Sequence, residues 1–139
     1  MNRMELRRLA EDRILDAASL LAGKQWSGAY YLSGYAVECG LKACIMAHVE
    51  KTGAIFVDKK FGEKCWTHEL RVLRELANLD SAYAASTAAN PLLLSNWRIT
   101  NAWEETSRYR QKTQAEAESL YNAIADTQNG VLTWIRLHW

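Results

Sequence analysis

The chain has 139 residues, which is enough for one domain with a hydrophobic core, and 49% of them are hydrophobic. Lys and Arg number 17 and Asp and Glu number 16, so the net charge is +1 and exerts no long-range attraction on nucleic acid or anionic membranes. Any nucleic-acid binding must therefore come from a local patch. Six Trp and a single Pro fit a folded globular protein and exclude a disordered chain.

The cysteines and histidines indicate neither a disulfide framework nor a metal site. Cys39, Cys44 and Cys65 are odd in number and follow no repeated spacing, and the three histidines are scattered. We therefore predict no metal and no cofactor, and we expect a reducing, cytoplasmic location. The N-terminal sequence MNRMELRRLAEDR also lacks the apolar core of a signal peptide.

Apolar residues at helical spacing predict an all-α, up-and-down bundle of four or five helices in a single domain, 1–139. In chain order we predict helix one over Arg3–Ala22, helix two over Trp26–Lys51, a charged loop over Gly53–Lys64, helix three from Thr67, a short helix or loop over Asp80–Ala89, helix four from Pro91 through Leu93, Leu94 and Trp97 toward Trp103, an irregular segment over Glu104–Lys112, and helix five from Thr113 to His138.

Capping residues mark most of these helix starts. The capping pairs are Asn2 with Glu5, Thr113 with Glu116, and Asn90 with Pro91. Thr67 is expected to cap helix three. Gly23 and Gly53 end the first two helices, whereas Gly130 lies inside helix five and weakens it slightly.

Helix two combines an apolar sequence, AYYLSGYAVECGLKACIMA over residues 29–47, with one acid and one base. Its length is near that of a membrane span, but Glu38 and Lys42 near the middle make insertion costly, so we expect a buried helix and no membrane. The Glu precedes the Lys by four residues, the favourable order for a helical ion pair. A separate stripe of small residues lets another helix approach closely; it holds Ala29, Ser33, Ala36, Gly40, Ala43 and Ala47.

The segment YYLSGYAVECGLKACIMA resembles the second-helix signature of HEPN domains, the nucleotide-binding domains of higher eukaryotes and prokaryotes. Three further segments agree in order and spacing: SLLAGKQWSGAYYLSGYAVE, THELRVL and WEETSRYR. THELRVL resembles the His-x-Leu opening of the family's next helix, and WEETSRYR resembles the Arg-Tyr element before its last helix. The resemblance spans about Leu20 to Arg110, and it implies an up-and-down helical bundle that is commonly a homodimer.

The resemblance also implies partners and an activity. Many HEPN proteins resemble toxin components encoded beside a small nucleotidyltransferase, which implies such a protein as a partner. The nuclease members cleave RNA without metal, using Arg-x4–6-His motifs paired at a dimer interface. Here no Arg lies four to six residues before His48 or His68, and Arg136 lies only two before His138. The nuclease motif is absent, so we name no catalytic residue.

Six residues are candidates for binding a nucleotide or phosphate: Glu38, Lys42, His68, Arg108, Tyr109 and Arg110. The two arginines with an interleaved aromatic suit phosphate contact and base stacking. In the alternative, Glu38 and Lys42 are a structural pair that orients helix two against the Arg-Tyr-Arg segment, and Tyr109 packs on the core. For His68 the alternative is a helix-start residue with a local hydrogen bond. The six tryptophans are expected in the core and in interfaces.

Three functions remain open on the sequence alone. The first, which we favour, is a HEPN-like binding module for a nucleotide or RNA. The second is a metal-independent ribonuclease of the toxin type, and the missing motif weighs against it. The third is a non-catalytic dimerisation or interaction protein, in which the charged pair only fixes packing.

Overall fold

The computed structural model describes residues 1–53 and 59–139, and no strand occurs in these two ranges, so the predicted all-α class is confirmed for them. In chain order the helices are α1 (Arg3–Ala22), α2 (Trp26–Thr52), α3 (Lys59–Lys64), α4 (Leu70–Leu76), α5 (Asp80–Ala89), α6 (Pro91–Asn101), a 3₁₀ helix (Glu105–Tyr109), α7 (Gln114–Ala125) and α8 (Val131–Ile135).

The two long helices form an antiparallel hairpin, the most extensive packing contact of the bundle. The Arg3 guanidinium lies 3.4 Å from the Glu50 carboxylate, so the start of α1 meets the end of α2. The predicted capping box at the start of α1 is present, with the Glu5 backbone N–H donating to Asn2 Oδ1 at 2.9 Å. At the other end, Gly53 adopts a left-handed φ of 67°, as a helix-ending glycine does.

α2 lies at the centre of the bundle because its small residues admit other elements at close range. The predicted stripe is buried except for the half-buried Ala47; its buried members are Ala29, Ser33, Ala36, Gly40 and Ala43. A Cβ at Gly40 would lie only 3.0 Å from Ile135 Cγ2, so α8 packs directly on the backbone of α2.

A second glycine of α2, which lies outside the predicted stripe, provides the seat for a tryptophan. A Cβ at Gly34 would overlap the indole of Trp103, and this ring also stacks with Tyr31 at 6.0 Å between centroids. Trp103 is 3% exposed and follows the end of α6 at Asn101, so helix four does not extend to it as predicted. The indole therefore holds the chain after α6 against α2.

The region between α2 and α5 differs from the prediction in two places. The predicted loop over 53–64 contains helix α3, while residues 54–58 lie outside the described residues. The prediction that Thr67 caps helix three is wrong: α4 starts at Leu70, and the Thr67 hydroxyl accepts from the Glu69 N–H at 3.2 Å. The Thr67 side chain thus stabilises a local turn, and residues 67–69 remain outside the helix.

The helices in the second half of the chain occur in the predicted order, but they are interrupted more often than predicted. Asp80–Ala89 is a helix, and Asn90 caps α6 by accepting from the Leu93 N–H at 3.2 Å. The segment predicted as irregular, Glu104–Lys112, contains the 3₁₀ helix. The Thr113–Glu116 capping box is present at the start of α7.

Helix five is two helices and not one, because the chain turns between Ala125 and Val131. The Asp126 carboxylate accepts from the Asn129 N–H at 2.6 Å, which closes the turn. A Cβ at Gly130 would lie 2.6 Å from the Ile124 carbonyl oxygen, so only glycine fits this turn. Gly130 is therefore a turn residue that precedes α8, not a weak point within a helix.

Most of the tryptophans lie in or against one buried apolar cluster, with Trp97 fully buried at its centre. Trp97 meets Tyr83 and Trp134 edge-on, at centroid distances of 5.6 and 5.7 Å. Trp66 does not follow the expectation of a core position, since it is 82% exposed. Within residues 1–53 and 59–139, no helix combines the length and apolarity that a bilayer span requires.

We expect Gly34→Ala to destabilise the protein by about 1–3 kcal/mol or more, because the added methyl group overlaps the Trp103 indole and displaces it. The free energy of unfolding in urea measures the effect. Gly62→Ala is the matched control, because a Cβ there has no atom within 4 Å and the same change in helix propensity applies. Equal stabilities of the two variants would contradict the proposed seat.

Candidate functional site

The Glu38 carboxylate is buried in the middle of α2, and one of its oxygens has two partners. Its side chain is 2% exposed, and Oε1 accepts from Lys42 Nζ at 2.8 Å. The same Oε1 lies 2.8 Å from His68 Nδ1, on the segment before α4. The predicted i,i+4 pair therefore exists and points inward. The third residue at this carboxylate is His68, which is 30 positions away in sequence. The prediction had expected an arginine of the Arg-Tyr-Arg segment in its place.

The contact fixes the orientation of the His68 ring. A carboxylate only accepts hydrogen bonds, so Nδ1 carries the hydrogen, and in the neutral imidazole Nε2 is left as the acceptor. The His68 side chain is half exposed while its partner is buried. One nitrogen of the imidazole is therefore hydrogen-bonded to the buried Glu38 carboxylate, and the rest of the ring is at the surface. His68 is not a helix-start residue with a local bond, as the alternative held.

The Arg-Tyr-Arg segment does not reach Glu38, so the prediction of that pairing is wrong. Arg108 Nη1 lies 2.8 Å from Glu105 Oε1, and Arg110 Nη1 lies 3.5 Å from Glu104 Oε2. These acids are three and six positions away in sequence, so each guanidinium has a local acidic partner within or next to the 3₁₀ helix. Tyr109 is 76% exposed and not packed on the core, and the Arg108 guanidinium lies 4.8 Å from its ring centroid.

A cleft of about 560 Å³ separates the segment around His68 from the segment around Trp103. One wall comes from residues 67–71 and the other from residues 101–106. The lining residues are Thr67, His68, Glu69, Leu70, Arg71, Asn101, Trp103, Glu104, Glu105 and Thr106. Glu105 and Glu104, the partners of Arg108 and Arg110, are among them, whereas Arg108, Tyr109 and Arg110 are not. Of the six predicted site residues, His68 alone lines the cleft, and Glu38 connects it to Lys42.

Arg71 is a cleft residue that the sequence reasoning missed. It is exposed, and it makes no ion pair or hydrogen bond with any described residue. It lies three positions after His68 in THELRVL, but the helix α4 begins only at Leu70, so helical spacing does not relate the two side chains. The sequence therefore held no spacing signal for Arg71, whose place in the cleft depends on the fold.

Two buried polar atoms of the opposite wall lack partners among the described residues. They are the indole Nε1 of Trp103 and the side-chain Oδ1 of Asn101. Glu38 Oε2 is a third such atom behind the other wall. A buried donor or acceptor without a partner costs about 1–3 kcal/mol. The packing of the described residues therefore leaves three hydrogen-bonding atoms in this region without partners.

Burial keeps the nearby thiol and phenol protonated. Desolvation, with a smaller effect of the Glu38 carboxylate, raises the pKa of Cys39 to about 11. Desolvation likewise raises the pKa of Tyr35 to about 12. Neither group is ionised at neutral pH, so neither is an activated nucleophile. Within the described residues, no group of three or more His, Cys, Asp and Glu side chains is arranged to hold a metal ion.

Comparisons with known proteins identify no protein similar to this chain. No protein-family model matches the chain, and no curated protein and no solved structure does. The HEPN resemblance therefore stays a prediction that rests on the sequence segments alone.

We expect Glu38→Ala to destabilise the protein by about 3 kcal/mol, because it removes the anion from a partly buried Lys42 and from His68. Glu38→Gln should cost less, since its amide oxygen still accepts a hydrogen bond. Thermal and urea denaturation measure both. Asp12→Ala is the control: its i,i+4 pair with Arg8 is exposed, so we expect at most about 0.5 kcal/mol. Neutral behaviour of both Glu38 variants would contradict a structural role for this carboxylate.

Proposed function

We propose that the protein is a HEPN-like helical binding module whose cleft takes a nucleotide or the end of an RNA chain. The observation that carries the proposal is that Arg71, which has no partner among the described residues, lines the same cleft as His68, whose ring a buried carboxylate holds in place. An exposed arginine with no acidic partner is available to a phosphate, which its planar guanidinium binds in a bidentate manner. His68 adds a ring nitrogen to the same wall.

The Arg-Tyr-Arg segment, which follows the Glu104–Thr106 wall in sequence, adds a second binding element. Both side chains of the Glu104–Arg110 pair are exposed, and such a pair contributes only about 0–1 kcal/mol, whereas the Glu105 side chain that pairs with Arg108 is 19% exposed. A phosphate can therefore replace Glu104 as the partner of Arg110. Tyr109 is 76% exposed, and a base can stack on the ring face that the Arg108 guanidinium does not cover.

The local charge limits the kind of ligand. The cleft lining carries the carboxylates of Glu69, Glu104 and Glu105 and the guanidinium of Arg71, while Arg108 and Arg110 pair with two of these acids from outside the lining. No strong positive field results, so a ligand with one phosphate fits better than a triphosphate. The acids accept hydrogen bonds from ribose hydroxyl or base amino groups. We therefore expect binding with a weak dependence on salt concentration.

Arg71→Ala should weaken binding of a nucleoside monophosphate about tenfold or more, because a charge-assisted hydrogen bond to phosphate is lost. Arg108→Ala should weaken it as well. Calorimetric titration of adenosine and uridine monophosphates and of short RNAs measures the affinity. Arg98→Ala is the matched control, since Arg98 is also exposed and unpaired among the described residues but is not in the cleft. The proposal fails if wild type binds none of these ligands, or if the Arg71 and Arg98 variants bind alike.

A metal-independent ribonuclease is the second candidate, and one observation favours it. A buried carboxylate holding Nδ1 of a half-exposed histidine is an arrangement that suits acid–base catalysis. The candidate needs no Arg-x4–6-His motif, because Glu38 and His68 meet through the fold. It differs from the binding module only in what happens to a bound RNA.

The ribonuclease candidate predicts that purified protein cleaves RNA in the presence of EDTA. His68→Ala should then abolish cleavage, and Glu38→Gln should lower the rate about 10²-fold or more, since the ring loses its charged partner. Gel analysis of labelled RNA measures the rate, with His48→Ala as the control because His48 is not in the cleft. If wild type leaves RNA intact, the second candidate is removed, and the binding titration alone decides on the binding module.

A homodimer and a small nucleotidyltransferase are the partner proteins we propose, and both rest on the HEPN resemblance. The cytoplasmic location that we propose rests on the free cysteines together with that resemblance. A non-catalytic dimerisation or interaction protein is the alternative if no nucleotide or RNA binds.

A further inference from the structure

The turn between α7 and α8 carries the one Asn–Gly pair of the sequence, Asn129–Gly130. An asparagine followed by glycine is prone to spontaneous deamidation, because a residue without a Cβ leaves its backbone nitrogen open to attack the preceding carboxamide. Asn129 is half-buried and lines a second cleft, of about 390 Å³, between α6 and α7. A chemically reactive pair therefore lies where water can reach it.

Hydrogen bonds hold both reacting groups of this pair. The Gly130 N–H, whose nitrogen is the nucleophile in deamidation, donates to the Asp126 carbonyl oxygen at 3.0 Å. The carboxamide that is attacked is held at its oxygen, since Asn129 Oδ1 accepts from Asn90 Nδ2 at 2.8 Å. A base removes a hydrogen-bonded amide proton only after the bond has opened. The native turn therefore restrains the nucleophile and the group it would attack.

The turn itself is tied to α6 by side chains from a distant part of the sequence. Asn90 lies 39 positions from Asn129, and it also caps α6 by accepting from the Leu93 N–H. Asn96, 33 positions away on the same helix, donates from Nδ2 to the Asn129 carbonyl oxygen at 2.8 Å. Within the turn, the Asp126 carboxylate accepts from the Asn129 N–H. Exposure of the reactive pair therefore requires this turn to come away from α6.

We propose that Asn129 is a site of spontaneous deamidation that the native turn suppresses, so that the modification accumulates only through molecules in which the turn has opened. In the reaction the Gly130 nitrogen bonds to Asn129 Cγ, the Cγ–Nδ2 bond breaks, and ammonia leaves with the proton of the Gly130 nitrogen. Water then opens the succinimide at either carbonyl carbon and gives aspartate or isoaspartate. The site is separate from the cleft around His68, and the proposal does not depend on the proposed function.

Neither product fits the native turn. A carboxylate at position 129 would lie close to that of Asp126, and two like charges repel each other. Isoaspartate adds a backbone carbon directly before Gly130, where even a Cβ would lie 2.6 Å from the Ile124 carbonyl oxygen. α8 follows this turn, and its Ile135 packs on Gly40 of α2. Deamidation should therefore weaken the attachment of α8 to the central helix.

Incubation of the full-length protein in mildly alkaline buffer, followed by peptide mapping with mass spectrometry, measures deamidation at Asn129. The rate should be about tenfold or more lower in the folded protein than in guanidinium chloride, which corresponds to an opening free energy of about 1.4 kcal/mol or more. Asn122 is the internal control, because it is exposed, lines the same cleft and precedes alanine. Equal rates at Asn129 in the folded and unfolded chain would overturn the suppression, and an unfolded-state rate no higher than that of Asn122 would overturn the site.

Asn90→Ser tests the restraint on the carboxamide. Serine still caps a helix but lacks the amide that holds Asn129, so deamidation of the folded protein should become about threefold or more faster, as the loss of one hydrogen bond implies. Asn2→Ser is the matched control, because it makes the same change at the cap of α1 without touching the turn. If both variants deamidate at the wild-type rate, Asn90 does not restrain the site and the proposal fails.

Asn129→Asp reproduces the aspartate product and tests its effect on the fold. Its urea midpoint should be lower than that of wild type, because the new carboxylate lies close to Asp126. Asn122→Asp is the control, since it places a carboxylate in the same cleft at an exposed position outside the turn. Equal midpoints for the two variants would overturn the expectation that the aspartate product does not fit.

Discussion

One buried carboxylate, that of Glu38, links the central helix to a wall of the cleft. α2 is a buried helix because α1, α4, α7 and α8 all pack against it. An acid at its middle is tolerable only if it is neutralised and hydrogen-bonded. Lys42 and His68 meet that requirement at Oε1, each at 2.8 Å. Because His68 is the partner that comes from another segment, the need to neutralise a buried acid also determines where residues 67–71 lie.

The two walls of the cleft are held to α2 by different kinds of contact. The His68 wall is attached by charge and hydrogen bonding to Glu38, whereas the Trp103 wall is attached by the indole that lies on Gly34. Both attachment points are on α2, four residues apart in sequence, which is close to one helical turn. The cleft therefore exists because one turn of a buried helix carries both a glycine and a glutamate. Its walls are positioned by the core, while the groups that would meet a ligand lie at the surface.

Local interactions in this chain were predictable from sequence, and long-range ones were not. The bounds of α1 and α2, the capping boxes and the Glu38–Lys42 pair depend on residues within four positions of each other. The pairing of Arg108 with Glu105 is also local, and its spacing was readable in WEETSRYR before the structure placed it. The contact of His68 with Glu38 joins residues 30 positions apart, and Arg71 lines the cleft because α4 packs against α2. The turn before α8 depends on the closeness of Gly130 to two carbonyl groups, which helical periodicity does not reveal.

The distribution of charge explains why a small, nearly neutral chain suits a weakly charged ligand. Most arginines of the described residues already have an acid, as Arg108, Arg110 and Arg136 do. Such pairing removes the field that would attract a polyanion from a distance, so recognition depends on contacts made inside the cleft. Arg71 is the cleft cation that this pairing leaves free, and the exposed ring of Tyr109 is a surface that the core does not use. Stacking is nearly independent of salt, whereas a phosphate contact is not, so the ring and the arginine can be told apart by how affinity responds to ionic strength.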